Sequence, residues 1–196
     1  MGDYCTKEQL RQHLGFRPEF VEDDAQLTAA IVAAEAAIED YCGRAFTLDA
    51  ANSDRIYEGA AAIAVDDIAD PSAATVYTSG DRVTWTATSA IYFWDTDGSV
   101  AGSVGAGAPA TVLTFRDGAP ATYIKVTAAH GWSAVPAPLT AATKLVAAQL
   151  LSRRHSPNGI EAFGDFGSVR VSRYMDSQAT LLLKPYRRAS SFVGVA

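Results

Sequence analysis

The sequence holds little with which to do covalent chemistry. Its 196 residues include two cysteines, Cys5 and Cys42, and three histidines, His13, His130 and His155. Neither cysteine has neighbours at metal-ligand spacing, and two reduced thiols suit an intracellular protein better than one bridge. His13 and His155 fall near expected helix ends, and His130 lies beside Gly131 and Trp132, where a lone histidine is a structural or surface residue more often than a base. No serine sits in a GxSxG elbow, and neither cysteine has a recognisable histidine partner. The glycine-rich stretch GSVGAGAP at 102–109 lacks both the lysine of a phosphate-binding loop and the GxGxxG spacing. The expectation is a non-enzymatic chain with no metal and no cofactor. Long apolar runs are also missing, as are the basic and apolar regions of a secretory signal, so the chain reads as soluble and made in a cytoplasm. Positive charge is in deficit: 16 Lys and Arg against 22 Asp and Glu give a net charge of −6, which argues against gripping DNA through its phosphates.

What the chain does have is alanine-rich helix. Residues 24–44, DAQLTAAIVAAEAAIEDYCGR, place Leu27, Ile31, Ala34, Ile38 and Tyr41 at alternating steps of four and three, one face of an α-helix. Asp24 is expected to cap the first turn, and Gly43 suits the left-handed residue that closes a helix. Alanine favours helix but buries little surface per residue. A helix with so thin an apolar stripe needs a close partner helix within the chain, a neighbouring subunit, or both.

The rest of the chain falls into a helix–β–helix order. Residues 6–14 predict a short helix capped by Thr6 with Gln9 in the capping-box position and Gly15 as its stop; Leu10 and Leu14 share a face. From Arg55 to about Trp132 the texture is that of strands: RIYE, AAIAV, TVYT, RVTWTA, AIYFW, TVLTF and TYIKVTA. Val83, Trp85 and Ala87 are expected on one face, and Ile124 with Val126 on another. Turn signals fall at Glu58-Gly59, Ser79-Gly80, Asp97-Gly98 and Asp117-Gly118. Helix returns after Val135, with Pro136 and Pro138 at its start and Leu139, Ala142, Val146, Leu150 and Arg153 on its period. Arg153, Arg154 and His155 close its last turn. Residues 159–171 read as a loop with a short strand, SVRVS. Asp176 is expected to cap a last helix running to Pro185.

The fold class expected is α+β: a small helical bundle of two long Ala-rich helices and short terminal helices, with a β-rich module inserted between the long pair. The parts are residues 1–52 (helical), 53–132 (β-rich), 133–186 (helical) and 187–196 (a flexible basic and apolar tail). The helix-pair core is expected at Leu27, Ile31, Ala34, Ile38, Leu139, Val146 and Leu150. Charge is unevenly spread: residues 1–50 carry ten acids and four bases, and residues 144–196 carry eight bases and three acids. An acidic front and a basic end suit head-to-tail contact between copies.

Three stretches of the sequence bear on ligands. Asp95-Thr96-Asp97-Gly98 resembles the opening of a calcium loop but lacks its later oxygen ligands, so it reads as a hairpin turn. Tyr77, Trp85, Tyr92, Phe93 and Trp94 make either a sugar-binding platform or, more commonly for aromatics in strands, core. The end of the chain, Lys184, Tyr186, Arg187, Arg188 and Phe192, combines residue types that anchor interfaces.

The order of parts resembles the head–tail connector, or adaptor, proteins of long-tailed double-stranded-DNA phages. The pieces that carry it are AAEAAIEDYCGRAF at 33–46, Gly131-Trp132 with Val135-Pro136, and the helix ending in Arg153 and Arg154. The resemblance implies a structural virion protein in the neck, made in the host cytoplasm and assembled as a ring of twelve beneath the portal vertex. Such a ring extends the DNA channel without sequence-specific binding and receives the tail or the next head-completion protein; no membrane is involved. It implies that Lys184, Tyr186, Arg187, Arg188 and Phe192 reach the portal. The departure is the β module, larger than the family's hairpin. The alternative is a β-rich decoration or carbohydrate-binding module of a virion, with helical ends.

Overall fold

A computed structural model describes residues 4–15, 24–89, 91–94, 109–116, 118, 121–155, 160–162, 168–170 and 175–188. The fold is α+β, and the chain divides into two compact units, Met1–Ala45 with Val135–Ser190, and Phe46–Ala134 with Ser191–Ala196.

Among its described residues, the first unit holds four helices: α1 (Lys7–Leu14), α2 (Asp24–Cys42), α3 (Ala137–His155) and α4 (Ser177–Leu183), the last running into a 3-10 turn, Lys184–Tyr186. Thr6 and Gln9 form the capping box of α1, and Gly15 closes it at φ 70°. α2 packs on α3, α1 touches both, and α4 packs on α3. The core holds Leu27, Ile31, Ala34 and Ile38 from α2, Leu139, Ala142, Val146 and Ala147 from α3, Leu10 from α1 and Leu183 from α4. Leu150 is half-buried. Thr143 is fully buried, and its hydroxyl donates to the Leu139 carbonyl at 2.9 Å, so the polar group is satisfied inside the helix pair. The side chains of Arg153, Arg154 and His155 lie outside the described residues. Between α3 and α4, β8 (Ile160–Ala162) and β9 (Ser168–Arg170) pair antiparallel, a hairpin where one strand in a loop was expected.

Asp24 departs from its expected role. It is the first helical residue of α2, and its carboxylate holds Lys7 at 2.9 Å and also Arg11, both on α1. Two cations from a neighbouring helix outbid the first-turn amides, while the negative charge still sits at the positive end of the helix.

Among the described residues, the second unit carries seven strands in two antiparallel sheets. One has the order β1 (Ser53–Glu58), β7 (Tyr123–Ala128), β3 (Thr75–Ser79), β4 (Thr86–Thr88); the other has β2 (Ala62–Ile68), β6 (Ala110–Phe115), β5 (Ile91–Trp94). Alternate residues of both sheets fill one core: Ile63, Val65, Val76, Phe93, Leu113, Phe115, Ile124 and Val126. β1 and β2, edge strands of different sheets, are joined through Asp66, which takes Arg55 at 2.7 Å and the Tyr57 hydroxyl at 3.1 Å. Burial pushes that phenol up to about 12.

The run RVTWTA is not one strand. Val83 is 80% exposed, Trp85 half-buried and Ala87 exposed. The reason is Asp81, whose carboxylate accepts the Thr84 amide at 2.8 Å, the Val83 amide at 2.9 Å and the Ser79 hydroxyl at 2.9 Å. Those bonds, led by the Thr84 amide, draw its carboxyl down to about 2 and fold 81–84 into a loop with Arg82 at φ 63°. Asp95–Asp97, Asp117 and residues 102–108 of the glycine-rich stretch lie outside the described residues.

The stretches next to the crossings at 45/46 and 134/135 are tied together inside the second unit. The Asp49 amide donates to the His130 carbonyl at 2.8 Å, and the Gly131 amide to the Asp67 carbonyl at 2.7 Å. Trp132 Nε1 donates to Asp67 Oδ2 at 2.9 Å, and the Phe46 and Trp132 rings lie 5.4 Å apart. Gly131 has φ 116°, and a Cβ there would stand 1.9 Å from the Thr47 carbonyl oxygen. Only glycine fits both conditions.

Gly131→Ala is therefore expected to destabilise the protein by about 2–4 kcal/mol, read as a lower urea midpoint. Gly80→Ala, where an added Cβ meets nothing within 4 Å, serves as the near-neutral control. His130 is 2% exposed. Burial first, then Arg55, hold its imidazole below the usual histidine range, against Asp66, the Ser53 backbone and Asp49. The unfolded histidine takes a proton at about pH 6.5 while the folded one stays neutral. Stability from this group is thus full above that pH and declines below it, by up to about 1.4 kcal/mol per pH unit, until the folded group also protonates. Urea midpoints of wild type and His130→Leu between pH 7 and 5 should diverge in slope, the wild type falling faster.

Candidate functional site

The surface that sequence reasoning singles out is the basic end of the chain, and its geometry starts from the C-terminus of α2. A helix leaves its last carbonyls without partners. At α2, Gly43 turns left-handed at φ 66° and the Arg44 amide closes back on the Glu39 carbonyl at 3.3 Å. The Cys42 carbonyl is met from elsewhere: the Arg188 amide donates to it at 2.7 Å. Beside it the Arg187 guanidinium lies 5.4 Å from the centre of the Tyr41 ring.

α4 positions this stretch. Asp176 accepts the amides of Gln178 at 2.8 Å and Ala179 at 3.1 Å, which starts the helix. Ala179 and Leu183 are buried, and Leu181 is turned out, 71% exposed. Pro185 stands in the 3-10 turn that follows. Lys184 and Arg187 are exposed, while Tyr186 and Arg188 are half-buried. The structure thus brings Arg187 and Arg188 against the end of α2, with Lys184 and Tyr186 in the 3-10 turn just before them; Phe192 lies outside the described residues. Residues 187 and 188, expected as the start of a free tail, are docked within the helical unit. The acceptor they use is a backbone carbonyl, which carries no sequence signal.

The N-terminal side of the same unit uses its acids internally. The Tyr4 amide donates to Glu35 Oε1 at 2.8 Å, and the Tyr4 hydroxyl donates to Glu39 Oε1. Both thiols are buried. Burial drives Cys42 up to about 11 and raises Cys5 as well, so both are poor nucleophiles at neutral pH.

In the second unit the rings of Tyr77, Trp85 and Tyr123 are each faced by a cation. Lys125 Nζ lies 4.7 Å from the Tyr77 ring and 5.0 Å from the Trp85 ring, and Arg82 lies 4.1 Å from the Tyr123 ring. Phe93 is core. The side chains of Tyr92 and Trp94 lie outside the described residues.

With this geometry in hand, the chain was compared with known proteins. Residues 6–80 match the model of the phage gp6-like head-tail connector protein family. The match supports a head–tail connector family. It spans α1, α2 and β1–β3, so the connector resemblance read at 33–46 falls inside it, while Gly131-Trp132 and α3 lie beyond it. No curated protein matches the chain. A solved structure described as the neck of an empty GTA particle computed with C6 symmetry is similar at a TM-score of 0.54 and 18% identity. That likeness covers 97% of this chain and 93% of the other, so the β-rich unit of this chain lies within the shared fold.

The Arg188 contact can be tested through its one donor. Arg187 has φ −69° and ψ 128°, a conformation that tolerates a following proline. Arg188→Pro removes the amide and is expected to cost about 1–3 kcal/mol, whereas Arg188→Ala keeps it and should cost less. Thermal melts of the two variants give the comparison.

Proposed function

We propose that this chain is a structural neck protein of a phage-like particle, and that its copies join in a ring between the portal vertex and the tail. The observation that carries the reading is the connector-family match over residues 6–80, joined to a fold likeness over 97% of the chain with a neck protein. A ring needs two unlike faces on each copy, and the acidic front and basic end supply opposite charge. Twelve copies are compatible with a neck of sixfold symmetry. The ring extends the DNA channel, and a chain of net charge −6 suits a conduit through which DNA slides without being held. The partners are further copies, the portal protein, and the tail or the next head-completion protein. The location is the virion neck, after synthesis in the host cytoplasm.

The carbohydrate-binding alternative has less support. A sugar stacks on an uncovered ring face, and the faces of Tyr77, Trp85 and Tyr123 carry cations.

Electron microscopy of the purified protein mixed with portal should show rings seated on the portal. Free monomers beside bare portals, with binding to capsid or glycans, would overturn the reading. Portal contact is assigned to Lys184, Tyr186, Arg187, Arg188 and Phe192. A chain ending at Arg188 keeps the Cys42 contact but loses Phe192. It should retain its helical circular dichroism and bind portal at least about tenfold more weakly, the loss of one interface anchor. Equal portal affinity would remove the tail from the assignment.

A further inference from the structure

α2 is apolar on more sides than its own unit covers. From Ala25 to Ala34 it carries no charged residue. Leu27, Ala30, Ile31 and Ala34 face the core, yet Ala25, Ala29, Val32, Ala33 and Ala36 are exposed, Val32 at 49%. A helix at a solvated surface normally carries charge on its outer side; one that is apolar all round is a buried helix. The first charge on the outer ridge is the exposed Asp40, eight residues or about 12 Å beyond Val32 along the ridge Val32–Ala36–Asp40.

The same unit presents a second surface of opposite charge. On α4, Leu181 is 71% exposed, and the exposed Lys184 follows it by three residues, on the same side of the turn. One surface is a shallow apolar ridge ending in an acid. The other is a projecting leucine followed by a base. The alanines of α2 allow a close approach, Val32 and Leu181 supply the apolar contact, and Asp40 and Lys184 set the direction.

We propose that the outer face of α2 is covered by α4 of a second copy of this chain, with Leu181 packed beside Val32 and Lys184 paired with Asp40. The proposal rests on the ring reading above and names the surface that joins neighbouring copies. Since donor and receiving surfaces differ, each copy can offer one and receive the other, which is the contact a closed ring requires.

The test uses cysteines, since Cys5 and Cys42 are buried. Full-length Val32→Cys and Leu181→Cys variants are mixed under assembling conditions, with portal where the protein needs it, and oxidised. A disulfide-linked pair is expected from the mixture and not from either variant alone. Asp40→Lys alone should raise the concentration for half-assembly at least tenfold, and Asp40→Lys combined with Lys184→Asp should restore it, both read without portal because portal contact is also assigned to Lys184. Copies that assemble without the mixed cross-link, or with no rescue by charge reversal, overturn this interface and leave the ring reading standing. A chain that forms no assembly with or without portal overturns both.

Discussion

The constraint on which the helical unit depends is the small size of alanine in α2. A buried methylene is worth about 0.8 kcal/mol and a fully buried isoleucine about 1.5–3 kcal/mol. α2 has only Leu27, Ile31 and Ile38 as large buried anchors. Burial alone holds this helix weakly, so its neighbours fix it by polar contacts at both ends. At the start, Lys7 and Arg11 reach Asp24; further along, Tyr4 reaches Glu35 and Glu39; at the finish, the Arg188 amide reaches the Cys42 carbonyl. The half-buried ion pairs, still reached by solvent, contribute on the order of 1 kcal/mol each. Their larger role is positional, setting the height of α1 and of the chain's end along α2.

The β-rich unit meets a different constraint. It begins and ends in the middle of the chain, so its two loose ends must be secured to each other. Asp67 does this from inside β2, with its carbonyl on Gly131 and its carboxylate on Trp132. Trp132 in turn packs on Phe46, the first residue of the unit. The Gly131-Trp132 pair therefore has a physical reason: the glycine admits the Thr47 carbonyl, and the tryptophan offers one ring to Phe46 and one N–H to Asp67. Asp67, at 5% exposure, is met at Oδ2 by the indole N–H of Trp132.

Much of this was legible in the residues, and the unread parts share a cause. The 3.6-residue period marked α2 and α3, and the β-branched and aromatic runs marked most strands, because burial of one face writes a pattern on the sequence. Thr6 with Gln9, and Asp176, were legible because a cap acts within four residues. The misreadings came where a distant partner decided. Asp24 reads as a cap until Lys7 and Arg11 arrive from α1. RVTWTA alternates like a strand until Asp81 gathers the amides of Val83 and Thr84 into a loop. The docking of Arg188 on Cys42 uses two backbone atoms and leaves no mark on side-chain pattern at all. The Asp67–Trp132 contact spans 65 positions, beyond any local periodicity.

The same distinction bears on charge and assembly. The acidic front of the chain looks, by composition, like one continuous negative surface. In the fold much of it is spent within the unit: Asp24 on α1, Glu35 and Glu39 on Tyr4. Asp40 stays exposed on the outer ridge of α2, one turn beyond Ala36 and two beyond Val32. At the basic end, Arg187 lies over Tyr41 while Lys184 stays exposed next to Leu181. Total charge asymmetry is therefore a poor guide to how copies meet, because part of it, at Asp24, Glu35 and Glu39, is engaged within a single copy. Among the exposed charges, Asp40 shares a helix ridge with Val32 and Lys184 follows Leu181 by one turn. A contact built from such pairs gains area from the apolar part and direction from the charge. This allows identical copies to choose head-to-tail pairing over self-pairing of like faces.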